Sequence, residues 1–165
     1  MNADQAKFLA ATLGQQLQTE WMTTYKVLSA IPEDKKDWKP ETNARTAWDL
    51  AYHIATIDVG FLNAVIGNSF ASGFPAACPA TTIADLADWY KHAFPKALEA
   101  TIALDGAHLA AIVDFYGMKK ASVEYVLFCN NHMVHHRGQL ATYLRPMGGK
   151  VPAIYGGSFD EEYKG

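Results

Sequence analysis

Apolar residues recur at helical spacing in four long stretches of the chain, and polar punctuation separates them. From about Asp4 to Ala30, a stripe of Leu9, Leu13, Leu17, Trp21 and Leu28 marks one buried helix face. Pro32 and the charged residues after it read as a turn and a solvated connection. From about Thr46 to Ile66, Leu50, Ile54, Ile57, Phe61 and Val65 make a second stripe. Thr46 with Asp49 resembles a capping box at its start, and Gly67-Asn68 ends it. A loop rich in Gly, Ser, Ala and Pro runs on to Pro79, long enough to cross over a bundle or cover a pocket.

The third stretch runs from about Thr82 to Ala103, capped by Thr82, with Ile83, Leu86, Tyr90, Phe94 and Ala97 facing inward. Pro95 must kink or break it, because its ring excludes a hydrogen bond one turn back. An irregular link follows, with room for a short helix around His108 to Ile112. The fourth stretch runs from about Lys120 to Arg145 and stops at Pro146 and Gly148-Gly149. The tail from Lys150 to Gly165 reads as an ordered coil laid over the helices, and no segment shows the two-residue alternation of a strand. The predicted fold is all-α: an antiparallel four-helix bundle with one longer crossover connection, in a single domain spanning 1–165.

Charge and composition narrow the function classes. Fourteen Lys and Arg against seventeen Asp and Glu give a net charge of −3, and the longest basic runs are pairs. That argues against nucleic acid as a partner. No uninterrupted apolar run approaches the ~20 residues of a membrane span, and the polar N-terminus shows no signal peptide. Cys78 and Cys129 form neither a CxxC pair nor a disulfide framework, so a reducing, cytoplasmic location is the expectation.

The histidines carry the chemistry. On a helix of ~100° per residue, His136 lies ~40° from His132 and one turn along. Two imidazoles so placed can share one divalent ion. His53, at the edge of the second stripe, is the candidate third ligand. Three neutral imidazoles leave coordination positions open, as in a reactive site. His135, ~60° to the other side of His132, is an alternative ligand or a supporting donor. Gln139, Tyr125, Tyr143 and Cys129 fall near the histidine face as pocket or supporting residues. Asp49, one turn before His53, either orients that ring or serves the helix start. His92 and His108 receive no role. The bland alternative is that these histidines are hydrogen-bonded core residues. The fourth stretch is also apolar on the face opposite the histidines, which suits a homodimer, and Gly138 suggests close backbone approach there.

At Asn131-His132-Met133-Val134-His135-His136-Arg137-Gly138-Gln139-Leu140, then Tyr143-Leu144-Arg145 and Val151-Pro152-Ala153-Ile154-Tyr155-Gly156, the chain resembles the DinB-like (YfiT-type) family. The segment Trp48-Asp49-Leu50-Ala51-Tyr52-His53 matches that family's first histidine motif. The resemblance implies a divalent metal, nickel or zinc, on His53, His132 and His136, and frequent dimers. Related members include thiol S-transferases and isomerases that use low-molecular-weight thiols. The expected function is therefore a metal-dependent thiol S-transferase or hydrolase. The alternative is a non-enzymatic, stress-related binding or dimerisation module with a structural metal or none.

Overall fold

The computed structural model describes residues 1–71 and 73–163. Its order is α1 (Ala3–Ser29), a single 3-10 turn (Glu33–Lys35), α2 (Ala47–Gly67), α3 (Ile83–Ala103), α4 (Gly106–Ala110), β1 (Ile112–Phe115), β2 (Met118–Ala121) and α5 (Glu124–Leu144). The four long helices match the four apolar stretches to within a few residues. Side-chain caps explain where three of them start. Asn2 and Gln5 form a reciprocal capping box on α1, Thr46 Oγ1 accepts from the Asp49 N–H on α2, and Thr82 Oγ1 accepts from the Asp85 N–H on α3. Asn68 takes the left-handed conformation at φ 48° and closes α2. Helix α3 runs through Pro95 as one element rather than two.

The helices form a ring in which α1 and α2 stand diagonally, each packing on both α3 and α5. Direction follows from which ends meet. Lys7 near the start of α1 donates to the carbonyls of Ile102 and Leu104 at the end of α3, so that pair is antiparallel. Ser122, just before α5, reaches the Val65 carbonyl at the end of α2, so that pair is antiparallel too. By contrast α2 and α3 start at the same end. The 33–36 turn takes the Trp48 N–H on the Lys36 carbonyl and the Ile83 N–H on the Glu33 carboxylate. A chain leaving α2 must therefore travel back along the helix, about 30 Å for 21 residues, before α3 can begin. That is the work of the crossover loop. It lies against α2, with the Ala76 N–H on the Thr56 carbonyl and the Tyr52 hydroxyl on the Cys78 carbonyl. Gly60 permits this approach: a Cβ there would stand 2.8 Å from the Phe74 ring and 3.2 Å from the Ala76 nitrogen.

The sequence expectation of no strand is corrected by β1 and β2, an antiparallel hairpin pairing Ile112 with Ala121 and Phe115 with Met118. Its two-residue loop holds Tyr116 at φ 51° and Gly117 at φ 85°, the left-handed pair of a type I′ turn. Four residues per strand give too few alternations to read. Tyr125, expected at the metal face, belongs to this hairpin. Its hydroxyl sits between the Val113 and Met118 carbonyls, holding the hairpin on α5. Gly138 meets no heavy atom within 4 Å of an added Cβ, so the expected close approach is not made within the chain.

Helix α2 has an 18-residue window long and apolar enough, by composition, to cross a bilayer. Two thirds of that window is buried in the bundle, which accounts for its apolarity. The tail packs on α1 and α5 through a polar cluster in which Tyr155 covers the buried Arg137 and Glu20. Arg137, 2% exposed, pairs with the Glu20 carboxylate and donates to the Tyr155 hydroxyl at 2.6 Å, while that hydroxyl donates to Glu20 at 2.8 Å. Removing one partner of a buried ion pair strands the other charge. Glu20→Gln is expected to cost about 3 kcal/mol and Tyr155→Phe about 1 kcal/mol, both read from urea unfolding midpoints. An unchanged midpoint for Glu20→Gln would remove this cluster from the interactions that hold the tail.

Candidate metal centre

The antiparallel packing of α2 on α5 brings His53 opposite His132 and His136. The three side chains converge through one atom each. His53 Nε2 lies 3.0 Å from His132 Nε2 and 3.3 Å from His136 Nε2. Imidazole nitrogens sit ~2.0–2.1 Å from a zinc ion. Two such ligands are thus about 2.8–3.0 Å apart at an octahedral angle and about 3.3–3.4 Å apart at a tetrahedral one. Both separations from His53 match that spacing, and all three ligand atoms lie within 4.8 Å of one another, so the donor set could hold one divalent ion. All three rings are partly exposed, and among the described residues no protein carboxylate joins them.

Each outer nitrogen reflects its surroundings. His132 Nδ1 stands 2.7 Å from Asp58 Oδ1, and with Nε2 free to ligate, Nδ1 carries the proton and donates it to the carboxylate. Asp58 is fully buried, and its other oxygen accepts from the Tyr90 hydroxyl of α3 at 3.0 Å. Burial pushes the Asp58 pKa up, against the pull of the Tyr90 hydrogen bond and the Arg137 charge. His136 Nδ1 stands 3.1 Å from Gln139 Oε1, so Gln139 can fix that ring in the same way. Beside His132, the Phe61 ring lies 5.9 Å away and continues into Phe74 and Phe128, giving the centre an apolar side.

Burial, and then the other positive and imidazole groups nearby, hold the rings neutral. His53 is lowered to about 4, by burial first and then by His132, Arg45 and His136. His132 is likewise lowered to about 4, by burial and then by His135 and Arg45. Burial also lowers His136, against the raising effect of Gln139. A histidine must be deprotonated to bind a metal, and these rings are so across the neutral range.

The other sequence candidates fall elsewhere. His135 is exposed, its ring 4.7 Å from that of His136, and its nitrogens do not join the cluster. Cys129 is buried behind the site, with its thiol on the Asp58 carbonyl at 3.4 Å. Tyr143 packs edge-on against Trp38 at 5.4 Å. Asp49 is exposed at the helix start, as its capping position implied. His92 bonds the carbonyl one turn back at the surface, and His108 donates to the Val65 carbonyl. Asp58 is the residue that sequence reasoning missed. Its signal was available: it is the lone charged residue of α2 after Asp49, inside an apolar helix, and such a carboxylate needs a partner.

The family's sequence model matches residues 2–164. The chain belongs to the DinB family. A curated relative, the uncharacterized protein YrdA of Bacillus subtilis (strain 168), is 27% identical over 141 residues, covering 84% of this chain and 83% of that one. Two solved DinB-like proteins share the fold. YjoA of Bacillus subtilis superposes with a TM-score of 0.72 at 23% identity, over 92% of this chain and 98% of its own. A protein of Bacillus cereus ATCC 10987 gives 0.71 at 22% identity, over 87% and 95%. The DinB fold is thus shared across most of each chain, with the three histidines of this chain gathered on two of its helices.

Two outcomes follow. Asp58→Asn removes the charge behind His132 and is expected to weaken zinc or nickel binding by about tenfold or more, read by chelator competition; unchanged affinity would show that Asp58 does not support the ring. The pH dependence of the metal-free protein has a fixed sign. Each lowered histidine binds a proton in the unfolded chain below about 6.5 but resists it in the folded one down to about 4 for His53 and His132. Stability from these rings is full above that upper value and is lost as pH falls toward the lower one. The metal-free Tm should drop from pH 7 to pH 5, and His132→Ala should flatten the slope. Identical slopes in the parent and His132→Ala would contradict it.

Proposed function

We propose that this DinB-family protein is a metal-dependent enzyme for small molecules, a thiol S-transferase or a hydrolase, with nickel or zinc on His53, His132 and His136. The observation that carries the reading is the convergence of one ring nitrogen from each of three partly exposed histidines within 4.8 Å. A closed structural site would surround the ion with four protein ligands, whereas three neutral ones leave room for an incoming molecule. Bound there, a divalent ion keeps its full charge and lowers the pKa of a coordinated water or thiol toward neutrality.

The chain's own residues then bind and orient. Asp58 and Gln139 hold the His132 and His136 rings with their ligating nitrogens turned inward. The Phe61, Phe74 and Phe128 rings exclude water on one side. Free, unpaired Cys78 and Cys129 suit the reducing, cytoplasmic setting that a thiol chemistry needs. A homodimer through the outer strip of α5 belongs to the same proposal. Leu127 is 43% exposed on that strip, and Gly138 faces open space.

Metal analysis of protein purified without a histidine tag tests the centre. About one equivalent per chain is expected in the parent, with loss in His53→Ala, His132→Ala or His136→Ala, since two neutral ligands make a weak site. Stoichiometric metal in those variants would overturn the ligand assignment. No uptake by the parent from zinc or nickel would return the histidines to the core and favour a binding module. With metal retained, thiol–electrophile pairs and simple esters distinguish transferase from hydrolase. Light scattering at tens of micromolar, roughly where standard interfaces stay closed, should return twice the chain mass; a monomer would reject the dimer.

A further inference from the structure

Resting on the metal-centre reading above, we infer that the molecule entering this site carries an aromatic group, which lies along the α2–α5 seam on Ile57, Phe128 and Phe74 while its polar head takes the metal. Two rows of side chains line that seam. On α2, His53, Ile57 and Phe61 follow one another at intervals of four, and on α5, Phe128, His132 and His136 do the same. Because the two helices run antiparallel, the three histidines meet at one end of the double row, and Ile57, Phe61 and Phe128 fill the other. One helical turn rises about 5.4 Å, so hydrocarbon begins a single turn from the ligating residues on both helices.

Distances tie the two ends together. The Phe61 ring stands 5.9 Å from that of His132, 5.2 Å from Phe74, 5.9 Å from Phe115 and 6.5 Å from Phe128. Phe61 is buried beneath its neighbours, whereas Ile57, Phe74, Phe115 and Phe128 pack on the core and stay half-buried. Their open edges form a hydrocarbon strip that starts beside the half-buried histidines. Aromatic rings favour edge-to-face or offset contacts with centroids about 4.5–7 Å apart. These rings already keep that spacing with one another, so an incoming ring can join them in the same geometry. The other end of the seam is polar: Asp49, one turn before His53, and Gln139, beside His136, are both exposed. Charge at the apolar end is already matched, with Lys120 Nζ 3.8 Å from Glu124 and 6.0 Å from the Phe128 ring centroid. The ligand this arrangement fits has its metal-binding head among the histidines and an uncharged ring toward Phe128 and Phe74.

The test uses the full chain loaded with cobalt(II), whose visible absorption changes with what coordinates it. The probes are acetohydroxamate and 3-phenylpropanohydroxamate, which share one chelating head and differ by a benzyl group. The parent should bind the phenyl probe about tenfold more tightly, the effect of taking most of one ring out of water. Phe128→Ala should lose most of that preference, with cobalt content and acetohydroxamate affinity unchanged, and Phe128→Leu should keep part of it. Ile57→Thr, in the facing row, should shrink it as well, and the comparison in the parent needs no variant to fold. Equal binding of the two probes by the parent, no spectral response to either, or a preference undiminished in Phe128→Ala or Ile57→Thr would overturn the aromatic subsite while leaving the metal centre standing. A parent that takes up no cobalt would overturn both readings.

Discussion

Burying a carboxylate among apolar side chains costs several kcal/mol unless hydrogen bonds replace the lost water. In this fold that condition falls on Asp58. Its two oxygens are met by His132 of α5 and Tyr90 of α3, and its own carbonyl takes the Cys129 thiol. One side chain of α2 thereby ties together three helices and fixes the orientation of a metal-facing ring. Sliding α3 or α5 by a turn would cost the carboxylate one partner, and sliding α2 would cost it both. The register of the bundle and the aim of His132 are therefore one and the same constraint.

Much of this was legible in the chain. Stripes at helical spacing mark four helices, and Thr46 and Thr82 mark two of their starts, because both signals are local. The His132 and His136 pair is local as well, since residues four apart share a helix face. His53 is within reach of sequence reasoning only as an edge residue of another stripe, and its meeting with the pair depends on α2 packing antiparallel to α5. Asp58 stands out in the sequence only as a lone carboxylate in an apolar helix; which groups it meets was not legible, because its partners are 32 and 74 residues away. Tyr125 misled for the converse reason. It sits on roughly the histidine face of α5, but its hydroxyl reaches back to a hairpin too short to show a strand pattern. Of the motif residues, Arg137 directly follows the histidine run and Tyr155 lies 18 residues beyond it, and their work is to seat the tail against Glu20.

The same-direction pairing of α2 with α3 explains a long connection that composition alone shows as a loop. A parallel neighbour requires the chain to return the length of a helix, and the return path becomes part of the wall. Phe74 on that path packs over Gly60 and against Phe61, whose ring borders His132. The apolar side of the centre is thus a by-product of topology.

The three histidines also come from only two helices, 79 and 83 residues apart across the α2–α5 seam. An ion bound there acts as a removable staple through the middle of the bundle. Binding the folded state alone at a hundredfold excess over Kd adds about 2.7 kcal/mol of stability, a large share of what a domain of ordinary stability has to spare. If the proposed ion is bound, its supply sets more than chemistry: withdrawing it would loosen the seam and raise the unfolded fraction of the chain.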